Sequence, residues 1–325
     1  MARRQVVVAG LDIGTTKVVA VIAEIGPNGY PMIKGIGECP TVGVRKGTVS
    51  DVEALSKSIN NAVRSAQDLA GETIQSVWVA FPVANSLTGT LEFFDGQLVN
   101  SVRLAGLNIV EMVPSVVASA EAVLTDTDKN LGTVLMDMGG TTTGLAVFDR
   151  GQLVWSHYLP VGSEHITTDL AVCLRTTIGE AERVKQSLGL QYPEQNKILQ
   201  VPGVNGQGIK KVPGVTAVEI IQSRVQEILE LAQQELSRFD RSASLPGGLI
   251  ITGGGALLTG LLEFTGNALA MQVKLGSTAR VGVPREEWTG PAYASAIGLA
   301  IYSAKRRSRR LDQVSGWRKI LARFR

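Results

Sequence analysis

The sequence predicts an α/β protein built from two similar lobes, and three observations carry that prediction. First, Val134 to Asp149 reads VLMDMGGTTTGLAVFD. An apolar run holding one carboxylate, Asp137, breaks at Gly139-Gly140-Thr141-Thr142-Thr143-Gly144 and resumes as a second apolar run. That is the pattern of a β-hairpin with a Gly/Thr turn. Second, the design recurs near the N-terminus. Gln5–Ala9 leads through Leu11-Asp12-Ile13-Gly14-Thr15-Thr16-Lys17 into Val18–Ala23. Third, the strand Leu249–Thr252 feeds Gly253-Gly254-Gly255-Ala256 and a helix expected through Ala270. Two hairpins, each with an Asp before its turn, suggest two half-domains facing one ligand.

The turn chemistry points to phosphate. Glycine lets backbone approach a ligand closely, and successive N–H groups in such a turn form an anion nest. The Thr hydroxyls add donors, and Lys17 adds a point charge. A carboxylate beside a phosphate implies a bridging Mg²⁺. A triple glycine ahead of a helix offers backbone N–H groups at a helix N-terminus, another anion or nucleotide site. The sequence has neither GxGxxG nor GK[ST] at these turns, which disfavours a dinucleotide fold and a P-loop.

Composition sets bounds. The chain has 325 residues, 44% apolar and 19% charged, enough for about two domains with large cores. Two cysteines, Cys39 and Cys173, suggest a reducing cytosolic compartment, and with two histidines no zinc cluster is expected. Arg3 and Arg4 precede only a short apolar run broken by Asp12, so no secretory signal is expected. No apolar stretch reaches the ~18 residues of a spanning helix. Net charge is +3, yet residues 305–325 hold nine Lys/Arg and one acid, leaving the body at −5. Few aromatics accompany that basic run, so nucleic acid is not expected as a partner.

The remaining elements follow in order. Pro31–Gly37 reads as a strand, and Ser50 with Glu53 as a capping box. A helix follows with Val52, Leu55, Ile59, Val63 and Ala66 on one stripe, ended by Gly71. Ser76–Phe81 is a buried strand. Val83–Gln97 is irregular, with residues 87–93 resembling a hairpin arm. A helix over Leu98–Leu104 and a strand over Leu107–Val113 are expected. Small residues (Ala118, Ser119, Ala120, Ala122) mark Ser115–Leu124 as a helix able to pack tightly, with Glu121 its only acid. A strand over Gln152–Pro160, helices from Ser163 to Arg175 and Gly179 to Leu188, a turn-rich insert over Ile198–Val212 and a long helix over Ala217–Phe239 come next. Glu182 and Lys185 form an i,i+3 pair of a kind usually found on surfaces. Ala292–Tyr302 is a second small-residue helix.

The tail is distinct. Lys305–Ser315 is polar and basic, and is expected to be a flexible linker. In Gly316–Arg325, Trp317, Ile320, Leu321 and Phe324 share one face, while Arg318, Lys319, Arg323 and Arg325 take the rest. This is the pattern of an interfacial amphipathic helix suited to an anionic membrane. A helix this short is marginal in water, so attachment is expected to gain from several copies acting by avidity.

Together LDIGTTK, MDMGGTTTGLAVF, ITGGGALLTG and the two small-residue helices resemble the actin/Hsp70/sugar-kinase superfamily. VVASAEAVL, LPVGSEHITTDLAV, EAERVKQSLG, PAYASAIGLAIY and the tail resemble, within it, the FtsA family of bacterial cell-division actin homologues. The resemblance implies an actin-like (ribonuclease H-like) two-lobed ATPase fold with ATP and Mg²⁺ in the inter-lobe cleft. It places lobe I at 1–114 plus 290–304 and lobe II at 115–289, the latter split into 130–176 with 246–289 and a smaller 177–245. It implies that Asp12 and Asp137 hold Mg²⁺ through water. Gly14, Thr15, Thr16 and Lys17 would contact phosphates from one lobe, and Gly139, Gly140 and Thr141 from the other. Glu121 would orient the attacking water. Gly254, Gly255 and Ala256 would pack on adenosine, and Glu182, Lys185 and Gln186 would line the ribose and base. Gly162 would let the adenine side close.

Two features depart from the family. Its second phosphate loop usually reads GGGTTD, whereas here Thr141 and Gly144 replace a glycine and the aspartate, which bears on hydrolysis. Relatives also carry a subdomain after the strand ending near Phe81, where this chain has only Val83–Gln97. The resemblance implies self-polymerisation at the division site on the cytoplasmic face of the membrane. It also implies a partner, the C-terminal peptide of the tubulin homologue FtsZ, with Lys210, Lys211 and Arg224 as candidate contacts. A small-molecule kinase and a pilus-assembly or microcompartment relative are the alternatives.

Overall fold

The computed structural model describes residues 6–45, 48–82, 96–194, 197–204, 208–239, 245–278 and 281–322, the side chains from 309 onward excepted. The chain divides into two units, one formed by the N-terminal part through Val123 together with Ser277 onward, the other by Leu124–Gly276. The helix carrying Glu121 therefore belongs to the first unit, as does 277–289, whereas both were expected in the second lobe.

The first unit contains β1 (Val6–Ile13), β2 (Lys17–Ile25), β3 (Pro31–Pro40), the short β4 (Val44–Arg45) and β5 (Thr48–Val49), α1 (Val52–Ala70), β6 (Ser76–Phe81), α2 (Gly96–Leu104), β7 (Asn108–Pro114) and α3 (Ser115–Val123). Its sheet runs β3-β2-β1-β6-β7. β1, β2 and β3 pair antiparallel, and β6 and β7 join parallel to β1. Val18–Ala23 is buried on both faces, which explains its unbroken apolar run. α1 buries Leu55, Ile59, Val63 and Ala66 as the stripe predicts, while Val52 is only half-buried. Its N-cap is Asp51, whose side chain accepts from the Ala54 N–H, not Ser50. Residues 83–95, with the expected hairpin arm, lie outside the described residues.

The second unit repeats the plan. It contains α4 (Asp126–Leu131), β8 (Thr133–Met138), β9 (Thr143–Asp149), β10 (Gln152–Leu159), α5 (Ser163–Leu174), α6 (Ile178–Leu188), β11 (Ile198–Pro202), β12 (Ile209–Pro213), α7 (Gly214–Arg238), β13 (Leu249–Thr252), α8 (Leu261–Leu269) and β14 (Val273–Leu275). Its sheet runs β10-β9-β8-β13-β14, the same succession of an antiparallel meander and two parallel additions. The insert over 198–212 is a regular hairpin, β11 pairing β12. α4 was not anticipated, although Thr125 and Asp128 form the capping box that starts it. One apolar core joins Met136, Leu145, Ile166 and Leu170 to Ile221, Val225 and Ile228 of α7.

The last element, α9 (Ala294–Ala322), returns to the first unit, where it packs on α3. The approach is very close: a Cβ at Gly298 would lie 1.8 Å from the Ala118 carbonyl oxygen. The small residues of both helices thus serve the packing that their sequences predict. The segment 305–315, expected to be a linker, is helical and continuous with the tail instead. Lys305–Ser315 contains neither Gly nor Pro to stop it. Arg323 to Arg325, Phe324 of the apolar stripe included, lie outside the described residues. Among the described residues no helix is long and apolar enough to cross a membrane.

Candidate functional site

Each unit presents the same strand–turn–strand device. In the first, Asp12 lies near the end of β1, and the Gly14 N–H donates to the Lys17 carbonyl at 3.1 Å. In the second, Asp137 lies near the end of β8, and the Gly139 N–H donates to the Thr142 carbonyl at 2.9 Å. Both turns therefore close on the residue two after the Asp, with Lys17 standing where the other turn has Thr142. Thr41 braces the first turn, its hydroxyl donating to the Gly14 carbonyl at 2.8 Å and its N–H to the Thr16 carbonyl at 3.0 Å. Nothing in the sequence marked Thr41.

Lys17 is engaged. Its ammonium lies 2.7 Å from Glu38 Oε2 on β3 and 3.9 Å from the centre of the Tyr293 ring. The Tyr293 hydroxyl donates to the same Glu38 oxygen at 3.0 Å. Burial raises the Glu38 carboxyl, but the Lys17 hydrogen bond and charge and the Tyr293 hydroxyl outweigh it and hold the group below its ordinary value. Burial, then the Glu38 charge, pushes the Tyr293 hydroxyl up to about 12. Glu121, on α3, is ion-paired with Lys305 of α9.

In the second unit the Gly/Thr turn is held from behind. The Ser163 and Glu164 N–H groups at the start of α5 donate to the Gly139 and Gly140 carbonyls at 2.9 and 2.8 Å. A Cβ at Gly162 would sit 2.5 Å from the Gly140 oxygen and 2.6 Å from that of Gly139. Gly162 thus packs its backbone directly against the Gly139–Gly140 turn. Thr141 is half-buried in that turn. Thr252 of β13 pairs with Asp137 of β8, so the following glycines come alongside. A Cβ at Gly253 would lie 2.4 Å from Asp137 Oδ1, and one at Gly255 2.5 Å from Met138 Cγ. Asp137, Gly139–Thr142 and Gly253–Ala256 are therefore one cluster. The expected helix N-terminus is absent there. Gly254–Leu257 forms a 3-10 turn, whose Ala256 N–H donates to the Gly253 carbonyl, and α8 begins only at Leu261.

Glu182, Lys185 and Gln186 do come together, and the pair is not surface decoration. Lys185 is 7% exposed. Its ammonium lies 2.7 Å from Glu182 Oε2 and donates to Thr167 Oγ1 at 2.9 Å and to the Ser163 carbonyl at 3.2 Å. Gln186 donates to Glu182 Oε1 at 2.9 Å. Burial raises the Glu182 carboxyl, and hydrogen bonds from Lys185 and Thr167 more than reverse it. Nearby Glu164 is raised, chiefly by burial.

The three candidate peptide contacts separate. Arg224 grips Asp169 with two hydrogen bonds, at 2.6 and 3.0 Å, and Glu227 with a third at 2.6 Å, so it fastens α7 to α5. Lys210 donates to the Arg175 carbonyl at 3.1 Å. Lys211 is exposed. The register of β11 and β12 puts Ile198, Gln200, Pro202, Ile209, Lys211 and Pro213 on one exposed face. The apolar part of that face was missed, although its alternation could have shown it.

Among the described residues no three His, Cys, Asp or Glu side chains group as a metal cage. Mg²⁺ does not need one, since it usually takes one or two carboxylates plus phosphate and water. Asp12 and Asp137, each half-buried beside an N–H-rich turn, suit that role.

Two five-stranded sheets of identical strand order, each bearing an Asp and a Gly/Thr turn at the same place, define an actin-like fold. Solved structures agree: MreB 5 of Spiroplasma citri bound to AMPPNP is 18% identical with a TM-score of 0.70, covering 96% of this chain and 99% of that one. The ethanolamine utilization protein EutJ from Carboxydothermus hydrogenoformans is 20% identical with a TM-score of 0.65, covering 93% and 91%. The family model for cell division protein FtsA matches residues 134–298. The chain belongs to the FtsA family. It is similar to the cell division protein FtsA of Pseudomonas aeruginosa, 27% identical over 93% of this chain and 90% of that one, and of Rhizobium meliloti, 29% identical over 93% and 88%. The alignment to the Pseudomonas protein spans 375 positions, 50 more than the 325 residues here, so that relative holds at least as many residues without a counterpart.

Proposed function

We propose that this protein is an ATP-binding, actin-like component of the division apparatus that polymerises on the inner face of the cytoplasmic membrane and tethers the FtsZ ring. The observation that carries the ATP reading is the doubled turn: each unit offers an Asp and a closed Gly/Thr loop, and a triphosphate with Mg²⁺ has use for both. Asp12 and Asp137 would hold Mg²⁺ through water, and the bound cation would offset the phosphate charge. Gly14, Thr15, Thr16 and Lys17, with Gly139, Gly140 and Thr141, would bind the phosphates. Gly254, Gly255 and Ala256 would take adenosine, beside Glu182, Lys185 and Gln186. Glu121 would orient water only after release from Lys305, which favours slow hydrolysis at most.

The membrane reading rests on the tail, where Trp317, Ile320, Leu321 and Phe324 oppose Arg318 and Lys319 in sequence. The partner reading rests on the β11–β12 face, where Lys211 stands among Ile198, Ile209 and two prolines and suits a short apolar peptide with acidic residues. Electron microscopy on anionic lipid monolayers tests the whole. The full chain with Mg·ATP is expected to form ordered filaments, and a chain ended at Ala304 to leave the lipid bare. Lipid binding that is unchanged by that truncation would refute the tail assignment.

A further inference from the structure

Lys17 bears the one ammonium of the two turns, and the structure gives it to a carboxylate. Asp12, Val19 and Glu38 stand directly opposite one another across β1, β2 and β3, so Asp12 and Glu38 share a face of the sheet. Lys17, two residues before Val19, shares it as well. Tyr293, just before α9, completes the group: its ring lies under the Lys17 ammonium and its hydroxyl donates to the Glu38 oxygen that Lys17 also binds. An anion that uses Lys17 meets a competitor already in place. It also meets repulsion, since the Glu38 carboxylate is held ionised beside it.

We propose that Glu38 sets the binding threshold of the phosphate site, competing with the polyphosphate for the Lys17 ammonium while Tyr293 holds Glu38 in the competing position. This rests on the ATP reading above and adds to it a threshold that the ligand must overcome. The pair is partly exposed, with side-chain exposures of 30% for Lys17 and 51% for Glu38. It is therefore weak enough to exchange, and a polyphosphate outbids a single carboxylate by its greater charge. The cation–π contact leaves Lys17 a fixed station from which to exchange partners.

Mg·ATP affinity, measured by calorimetry on the full chain, tests this with Glu38→Gln, Glu38→Ala, Lys17→Gln and the double variant Lys17→Gln/Glu38→Gln. Removing the Glu38 charge is expected to tighten binding about threefold to tenfold. In the Lys17→Gln background the same change is expected to gain less than about twofold, repulsion alone remaining. Glu38→Ala guards against a residual amide hydrogen bond to Lys17 and should move affinity the same way. Unchanged or weaker binding in both Glu38 variants overturns the proposal, as does an equal gain with and without Lys17. Wild-type protein that binds no nucleotide overturns both this and the ATP reading; wild-type binding without a Glu38 effect overturns this alone.

Discussion

Arg224, chosen from the sequence for an acidic peptide, is already engaged within its own chain. An arginine on a long amphipathic helix in the smaller part of a lobe suits an acidic peptide, yet its guanidinium is spent on Asp169, 55 positions away, and on Glu227. Replacing it by Ala is expected to cost about 1 kcal/mol, seen as a melting temperature lowered by about 2–4 °C. Partner-peptide affinity should fall when Lys211, Ile198 or Ile209 is replaced by Ala. Tyr293 makes a second prediction at this scale. Its hydroxyl ionises at about 12 in the folded chain against an ordinary 10.0. The folded state then binds the proton more tightly than the unfolded, so its contribution is complete below the ordinary value and fades as pH rises through the folded one. Urea unfolding followed from pH 9 to 12 should show a loss of stability that Tyr293→Phe reduces. A loss of the same size in both would show that other groups cause it.

At the scale of elements, α3 and α9 approach each other very closely. A methyl at Gly298 has no room beside the Ala118 carbonyl, so Gly298→Ala is expected to cost about 2 kcal/mol or more, read by denaturant unfolding. The sequence showed this pairing through its small residues, and it showed the strand–turn–strand repeats through the spacing of Asp, Gly and Thr, because both are local patterns. What it hid is long-range. Tyr293 meets Glu38 across 255 positions and Lys305 meets Glu121 across 184, and no periodicity records such pairs. The brace from Thr41 was hidden for the same reason. Boundaries went astray where neighbouring residues compete for one job: Asp51 takes the cap that Ser50 could have filled. In 305–315 a polar, basic composition suggested a linker, but strong helix formers without a breaker simply extend α9.

For the whole molecule, the repeated sheet order explains why one chain carries two Asp-bearing Gly/Thr turns. Each unit folds around its own core, and each brings one Asp to the end of a strand beside one N–H-rich loop. Titration of the full chain with Mg·ATP, alongside Asp12→Asn and Asp137→Asn, tests the ATP reading most directly. The account predicts one site per chain, with affinity lowered at least about tenfold by either substitution. Binding that survives both substitutions unchanged would contradict it.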